Sequence, residues 1–514
     1  MPGGAIRVSL TTVAAIGLFG LAGTASAEVP LPSDDPFYVP PAHLASYSPG
    51  TILRSRPVTV PGVDNSSAAY QLLYRTTGAK EQPIATVTTL FLPSEPAPGP
   101  RHLMSFFPAS DSLSMKCSPS YTLRSGTGQH GPGLGNLGES DDVKSFLQEG
   151  WNVAVPDYEG PDSQWTAVPL EGYTALDGIR AVENFAAAEL EGVRTKVAMG
   201  GYSGGAIPTL WAASLATSYA PELNIVAAAS GGNLPDPMQA LAPLDGSPLF
   251  GTVIGVAVGV DRAYPELQLD SILNAKGRAL AARDGEDADG CGGSVTNAPF
   301  GTVAEYSNYP SPEAVLALPN VRRVFAHMNL IGRAAPAAPS LILQSAQDEL
   351  TPKKPVDEFV AAACAQGATI DYRTPPGEHA TGSAFLGQYV VPYIQDRFAG
   401  KPAPNTCPPR AGKPTAPKPA VSTLRVATLK RHGRIKVKAT YTLNAAATVT
   451  FKLVRKKTGR KVRTITRSGA AGANSFSFTG RLAAGTYKLT ATPAGGRSKA
   501  VTFKVTGSRR SRRP

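Results

Sequence analysis

The sequence predicts an α/β body over residues 28–407 that carries a large cap, followed by a small all-β module over residues 422–506. Three observations predict it. Short apolar runs alternate with helical stretches through the first part of the chain, as in a largely parallel sheet covered on both faces. Gly201, Ser203 and Gly205 form a G-x-S-x-G turn between a strand-like run and a helix-like one. Beyond residue 420 the apolar period shortens to two.

In chain order, residues 1–27 read as a secretory signal peptide. Arg7 supplies the positive start, Val8 to Leu21 the mostly apolar middle, and Ala25-Ser26-Ala27 the small-residue cleavage site. That apolar run is short and polar sequence follows it, which disfavours an anchor; no other span has the length and apolarity to cross a bilayer. The mature protein is therefore expected to be secreted, with no transmembrane segment.

Asp34 to Pro41 is a proline-rich entry segment. Tyr70 to Tyr74 and Ile84 to Leu92 read as consecutive antiparallel strands, and Val143 to Gln148 as a helix. Trp151 to Asp157 is a buried strand ending in an acid, and Leu176 to Ala188 has helical spacing. Val197, Ala198 and Met199 then lead into the Ser203 turn, and Ala206 to Leu215 continues as helix. Asn224 to Ala229, Ser340 to Gln344 and Ala368 to Tyr372 supply further strands. The alternation lapses at about residues 232–336, rich in Pro, Gly and Ala, and a cap over a pocket is expected there. Within it Pro248 to Phe250 and Val253 to Val260 are core or a lipid-facing surface, core being the default.

Residues 408–421 form a Pro/Lys-rich linker. Roughly seven short strands then follow. Ile435, Val437, Ala439 and Tyr441 alternate with polar neighbours, as do Val449, Phe451 and Leu453, which suggests an Ig-like β-sandwich. Residues 507–514 are a basic tail. The net charge of +12 conceals a division: from residue 401 onward there are 27 Lys+Arg and no acid, whereas residues 1–400 hold 23 Lys+Arg against 38 Asp+Glu. Separate modules with separate partners are implied. For the basic module the candidate partner is an anionic cell-wall polymer or lipid headgroup; the plainer reading is a solvated spacer whose lysines protect strand edges. Nucleic acid is disfavoured because no aromatic-lined basic motif is present.

Four cysteines in an exported chain suggest two disulfides, and four thiols allow three pairings. Cys117–Cys291 with Cys364–Cys407 is preferred, the second pair stapling the segment after the last strand of the body. The absence of C-x-x-C leaves zinc and redox roles without support, and no cofactor or metal is expected.

A serine hydroxyl needs a histidine to accept its proton and an acid to orient that histidine. In a strand-turn-helix elbow both follow the serine in the chain. His379, in the loop-like run Gly377 to Gly382, is the expected base; His327 sits in a helical pattern and reads as a packed or surface residue. Asp348 follows the buried strand Leu341 to Gln344 and is the expected acid. Glu349 is an arguable substitute, Asp371 lies too close before the histidine, and a helix cap is the alternative role for Asp348. For the oxyanion, one donor is expected from the backbone N–H of Gly204 and another from the loop Phe107 to Ser112.

These residues resemble the secretory lipase family of fungi and actinobacteria. The resemblance rests on Asp35-Pro36-Phe37-Tyr38, Leu176 to Ala181, Gly201-Tyr202-Ser203-Gly204-Gly205, Ser218 to Val226, Asp348-Glu349 followed by Pro352, and Glu378-His379. It covers about residues 34–407 and implies an α/β-hydrolase with a large cap or lid, cleaving triacylglycerols and other lipid esters at a lipid–water interface. It supports Ser203, Asp348 and His379 as the catalytic set, gives Asp111 the oxyanion-loop role beside Gly204, and favours the same two disulfides. Past Cys407 the basic β module departs from the family pattern, and the cap matches loosely. Alternative readings are a short-chain or aromatic esterase, a secreted serine aminopeptidase, and an adhesive protein with a retired hydrolase body.

Overall fold

One sheet of nine strands lies among the described residues: β1 (Ile52–Val58), which the sequence reading did not name, β2 (Ser66–Thr77), β3 (Pro83–Pro93), β4 (Leu103–Phe107), β5 (Asn152–Pro156), β6 (Val197–Tyr202), β7 (Ile225–Gly231), β8 (Ser340–Leu343) and β9 (Ile370–Arg373). The computed structural model describes residues 28–127, 139–286, 297–408, 418–431 and 433–506. The expected signal peptide (1–27), most of the linker and the tail (507–514) lie outside the described residues. So does Cys291, and with it the expected Cys117–Cys291 pairing. The chain divides into two compact units, Met1–Pro408 and Pro409–Pro514.

In the first unit the strand order is β1-β2-β3-β5-β4-β6-β7-β8-β9. β1, β2 and β3 form an antiparallel meander, and β3 meets β5 antiparallel. From β5 through β4, β6, β7, β8 and β9 every pairing is parallel. The period of two explains how both faces are covered. Met104, Phe106 and Ala198 point into one core with Phe146, Leu386 and Ile394, from the helices Glu139–Gln148 and His379–Phe398. Their neighbours Leu103, Phe107, Val197 and Met199 point into the opposite core with Leu176 and Ala212, from the helices Leu170–Glu183 and Ala206–Tyr219.

The helix expected over Leu176 to Ala188 lies earlier, at Leu170–Glu183. Pro169, which has no N–H to leave unpaired, stands just before its first turn. At the far end the Asn184 side chain donates to the Arg180 carbonyl and competes with continuation of the helix. Ala186–Ala188 is a separate 3-10 turn.

Between β7 and β8 the chain folds as helices, among them Gly251–Ala263, Ala275–Glu286 and Pro319–Met328. Phe250, Ile254, Leu269, Leu273 and Leu280 form a small core of their own. Phe250 and Val260, left open between core and lipid-facing surface, are 1% and 0% exposed and belong to the core. A disulfide joins Cys364, on the helix Lys353–Gln366, to Cys407 beyond the last helix of this unit.

Among its described residues the second unit has seven strands: β10 (Val421–Arg431), β11 (Arg434–Leu443), β12 (Ala447–Arg455), β13 (Lys461–Gly469), β14 (Gly472–Gly480), β15 (Gly485–Pro493) and β16 (Lys499–Val505). They form two antiparallel sheets, β10-β11-β14 and β13-β12-β15-β16. Val437, Tyr441, Phe451 and Leu489 fill the space between them. Tyr487, near the start of the sixth strand, donates its hydroxyl to the Ala483 carbonyl at 2.8 Å, the corner bond familiar in Ig-like sandwiches.

Candidate active site

Backbone crowding forces the Ser203 turn. Ser203 itself has φ +55°, a left-handed conformation rarely taken by a non-glycine residue. A Cβ on Gly201 or Gly205 would run into the Phe107 carbonyl oxygen, which is why both positions admit only glycine. The turn lifts the serine between the end of β6 and the helix Ala206–Tyr219.

Three side chains from separate segments of the chain meet there. His379 Nε2 lies 2.8 Å from Ser203 Oγ, and His379 Nδ1 lies 2.9 Å from each Asp348 carboxylate oxygen. His379 is 2% exposed and Asp348 8%. The structure thus brings together the three residues expected to cooperate.

His379 was expected in a loop but opens the helix His379–Phe398. The reason is its neighbour: the Glu378 carboxylate caps that helix by accepting the N–H groups of Ala380 and Thr381. The helix fixes the backbone from which the imidazole projects. Tyr202 adds a second restraint, its hydroxyl donating to the His379 carbonyl at 2.6 Å. Glu349 accepts the backbone N–H of His379 at 3.0 Å and so does not replace Asp348 at the ring. Asp348 accepts the N–H groups of Leu350 and Thr351 at 3.2 and 2.7 Å, and the Gln344 side chain donates to its other oxygen at 2.9 Å. It does not cap the helix Lys353–Gln366, which begins after Pro352 without a side-chain cap. Asp371 pairs with Arg373 at 2.7 Å, and His327 stands exposed on its helix.

The loop after β4 comes close to the serine. Asp111 has φ +41°, and its Oδ1 accepts from Trp165 Nε1 at 3.0 Å while the same oxygen abuts Gly204. Desolvation pushes the Asp111 carboxyl up to about 6, opposed by His379 and by the Trp165 hydrogen bond. Burial also drives Glu159 and Glu171 well above the usual carboxylate range, and Asp111 adds to both shifts. Tyr158, fully buried, spans the loop: its hydroxyl donates to the Pro108 carbonyl at 2.8 Å and accepts the Ser110 N–H at 2.9 Å. Sequence reasoning missed Tyr158, Trp165, Gln344 and Glu378. The signal for Tyr158 was its place just past β5, at the carboxyl edge of the sheet where Ser203 and Asp348 also lie.

Beside Ser203 and Gly204 opens a cavity of about 1250 Å³, mouth included, that runs under the inserted helices; its walls include Trp165, Ile207, Leu234, Val253, Ile272 and Phe325. Among the described residues no group of three or more His, Cys, Asp and Glu is placed to hold a metal ion, and no helix is long and apolar enough to cross a membrane.

Fold and site define the class: an α/β-hydrolase that acts on carboxylic esters. A family profile described as Secretory lipase matches residues 139–406, and the chain belongs to that family. It is 36% identical over 385 residues to a probable inactive lipase of Mycobacterium tuberculosis, covering 72% of this chain and 83% of that protein. It is 33% identical over 389 residues to a secreted triacylglycerol lipase of Malassezia furfur, covering 74% of this chain and 82% of that one. Among solved structures, Candida antarctica lipase A superposes with a TM-score of 0.68 at 31% identity, over 75% of this chain and 91% of that chain. The protein is accordingly a secreted lipase or esterase.

Proposed function

We propose that Ser203, His379 and Asp348 catalyse hydrolysis of triacylglycerols and related lipid esters through an acyl-enzyme. The observation that carries this reading is the unbroken hydrogen-bond line from Asp348 through His379 to Ser203, opening on a long apolar cavity. His379 Nε2 takes the Ser203 proton as Oγ bonds to the ester carbonyl carbon. The Gly204 N–H and the Asp111 loop face the resulting oxyanion. The tetrahedral carbon then expels the alkoxy oxygen, which receives the proton from His379. Water repeats both steps: its proton passes to His379, its oxygen bonds to the acyl carbon, and Ser203 leaves with the proton back on Oγ. Asp348 holds the imidazole with Nδ1–H toward the carboxylate and stabilises its cationic form.

The likeness to a protein described as an inactive lipase makes the first test turnover itself. A p-nitrophenyl ester series from acetate to palmitate, with Ser203→Ala as blank, is expected to show activity extending to long chains. Activity confined to the shortest esters would establish the short-chain esterase instead, and failure of a fluorophosphonate probe to label Ser203 would remove the reading altogether.

For the second unit we propose adhesion to an anionic cell-wall polymer. The supporting observations are its complete lack of acidic residues and the exposed lysines on both sheets, Lys436 and Lys438 on one, Lys452, Lys488 and Lys504 on the other. The full chain should bind carboxylate-coated beads at low salt, and a chain ending after Cys407 should not; equal binding by the two removes the proposal.

A further inference from the structure

The β module carries a charged face that its own fold leaves unused. Residues 409–514 contain no Asp or Glu to neutralise their cations. Some of those cations are absorbed by the structure: Arg463 lies over the Phe478 ring, Arg455 donates to the Ala484 carbonyl and Lys499 to the Ser422 carbonyl. Arg425, Lys436 and Lys438 are different. They stand exposed on the outer face of the sheet β10-β11-β14, and among the described residues their side chains have no ion pair or hydrogen bond.

Strand pairing arranges these cations in rungs. Leu429, Lys436 and Thr479 lie side by side across the three strands, then Ala427, Lys438 and Ser477, then Arg425, Thr440 and Ser475. All nine residues are exposed. Each rung therefore holds one cation and at least one hydroxyl, and successive rungs are about 6.8 Å apart along β11. That spacing is shorter than the Debye length of about 8 Å at physiological salt, so the cations repel one another. Edge protection does not account for Lys436 and Lys438, because β11 is the central strand of its sheet and both its edges are paired.

We propose that this face binds a polyol phosphate, a chain of phosphodiesters joined by short carbon bridges, laid along β11 with one phosphate to each rung. The inference rests on the anionic-polymer adhesion proposed above, and names its surface and its ligand. In a glycerol phosphate chain as many backbone bonds separate successive phosphorus atoms as separate alternate Cα atoms of a strand, so the extended polymer keeps step with the rungs. Each phosphate then meets one Lys or Arg charge and a Ser or Thr donor, and hydrogen bonds to an ionised group are the stronger kind. Leu429, 54% exposed, gives the carbon bridges an apolar contact. An acidic polysaccharide suits the face less well. Every aromatic residue of the unit, Tyr441, Phe451, Phe476, Phe478, Tyr487 and Phe503, belongs to its core or packs against it, which leaves no ring on this face for a sugar to stack on.

The test measures binding of the full-length protein to poly(glycerol phosphate) and to polygalacturonate at about 0.15 M salt. Two variants that lose the same charge are compared. One carries Arg425→Thr, Lys436→Thr and Lys438→Thr; the other carries Lys452→Thr, Lys488→Thr and Lys504→Thr on the outer face of the other sheet. Threonine keeps the strand preference in both. The first is expected to lose at least tenfold in affinity for poly(glycerol phosphate), and the second less than threefold. Should the first fail to fold, Ser477→Ala with Thr479→Ala, which removes hydroxyls and no charge, is expected to lose at least threefold. Equal losses in the two charge-matched variants overturn the proposal, because net charge and not this face would then decide binding. So does tighter binding to polygalacturonate than to poly(glycerol phosphate), or binding to phosphatidylglycerol vesicles without binding to the polymer. Unmodified protein held neither by the two polymers nor by carboxylate-coated beads would instead defeat the adhesion itself.

Discussion

Replacing Tyr158 by phenylalanine removes one oxygen atom and tests how the oxyanion loop is held. The hydroxyl makes two bonds to the same short loop, accepting the Ser110 N–H and donating to the Pro108 carbonyl. Asp111 comes next in a left-handed conformation, which costs a non-glycine residue about 1–2 kcal/mol and persists only where the surroundings over-determine it. In Tyr158→Phe the only described side-chain bond left to that residue is the one from Trp165 Nε1. Leaving buried backbone groups unpaired costs about 1–3 kcal/mol each, so the loop gains by shifting to find other partners. A shift weakens the oxyanion donor. Loss of a whole donor costs roughly 100–1000-fold in rate, and partial misplacement is therefore expected to cost about 10–100-fold, or about 1.4–2.8 kcal/mol. The loss should fall in kcat, with KM for p-nitrophenyl butyrate within twofold. Affinity for an alkylboronic acid, which forms a tetrahedral adduct on Ser203, should fall in parallel. Ile179→Val, a change costing about 1 kcal/mol in the same core that holds Tyr158, controls for lost stability alone. A Tyr158→Phe protein with a lower melting temperature but an unaltered kcat would refute the reasoning, because the hydroxyl would then serve the fold and not the site.

Four further outcomes are expected. Asp348→Asn should lower kcat by roughly 1000–10,000-fold while fluorophosphonate labelling of Ser203 slows without vanishing, since the oxyanion groups remain. Asp111 has its carboxyl raised to about 6 by desolvation. The folded chain thus binds more protons than the unfolded one between about pH 4 and 6. The stability from this group is full below about pH 4 and is lost as pH rises through about 6, so Asp111→Asn should raise the melting temperature at pH 8 relative to the unmodified protein and not at pH 4. Breaking the Cys364–Cys407 bond with a serine pair opens a loop of sequence separation 43, worth about 4 kcal/mol in the chain-entropy account as an upper value; differential scanning calorimetry should show the body transition moving down. Tyr487→Phe removes the corner bond to Ala483, which should cost about 1 kcal/mol in the transition of the β module and nothing in ester turnover.

What the sequence made legible follows from the range over which each interaction acts. The Ser203 turn was readable because its signature is local: two glycines flanking a serine, and a change of apolar period from strand to helix across five residues. Asp348 and His379 were readable by chain order and by their places after strands. Glu378 was in plain view yet missed, although an acid just before a helical run is a local cap signal; the glycines and threonine around it read as loop. The place of Tyr158 just past β5 was legible, but its role was not, for a different reason. Its partners are some fifty residues earlier in the chain, and nothing near Asp157-Tyr158-Glu159 in the sequence indicates that the Phe107 to Ser112 loop folds over it.

The cap shows the same limit on a larger scale. Phe250, Val253, Ile254 and Val256 all belong to apolar stretches that read as core or lipid-facing surface, yet Val253 and Val256 are only partly buried and line the cavity, while the other two help close the small core as well as the wall. Helical periodicity assigns them to a face; it does not say whether protein or a substrate chain lies against that face, because both are apolar and both exclude water. Only the position of Ser203, fixed from a different segment, separates the two. For this reason the acyl-length profile follows from the arrangement of the inserted helices over the sheet, and substitution of Val253 by a larger residue should shorten the longest ester turned over without changing turnover of the shortest. A cap that acted only as a packing layer would instead show that substitution as a uniform loss of stability, with the chain-length profile intact.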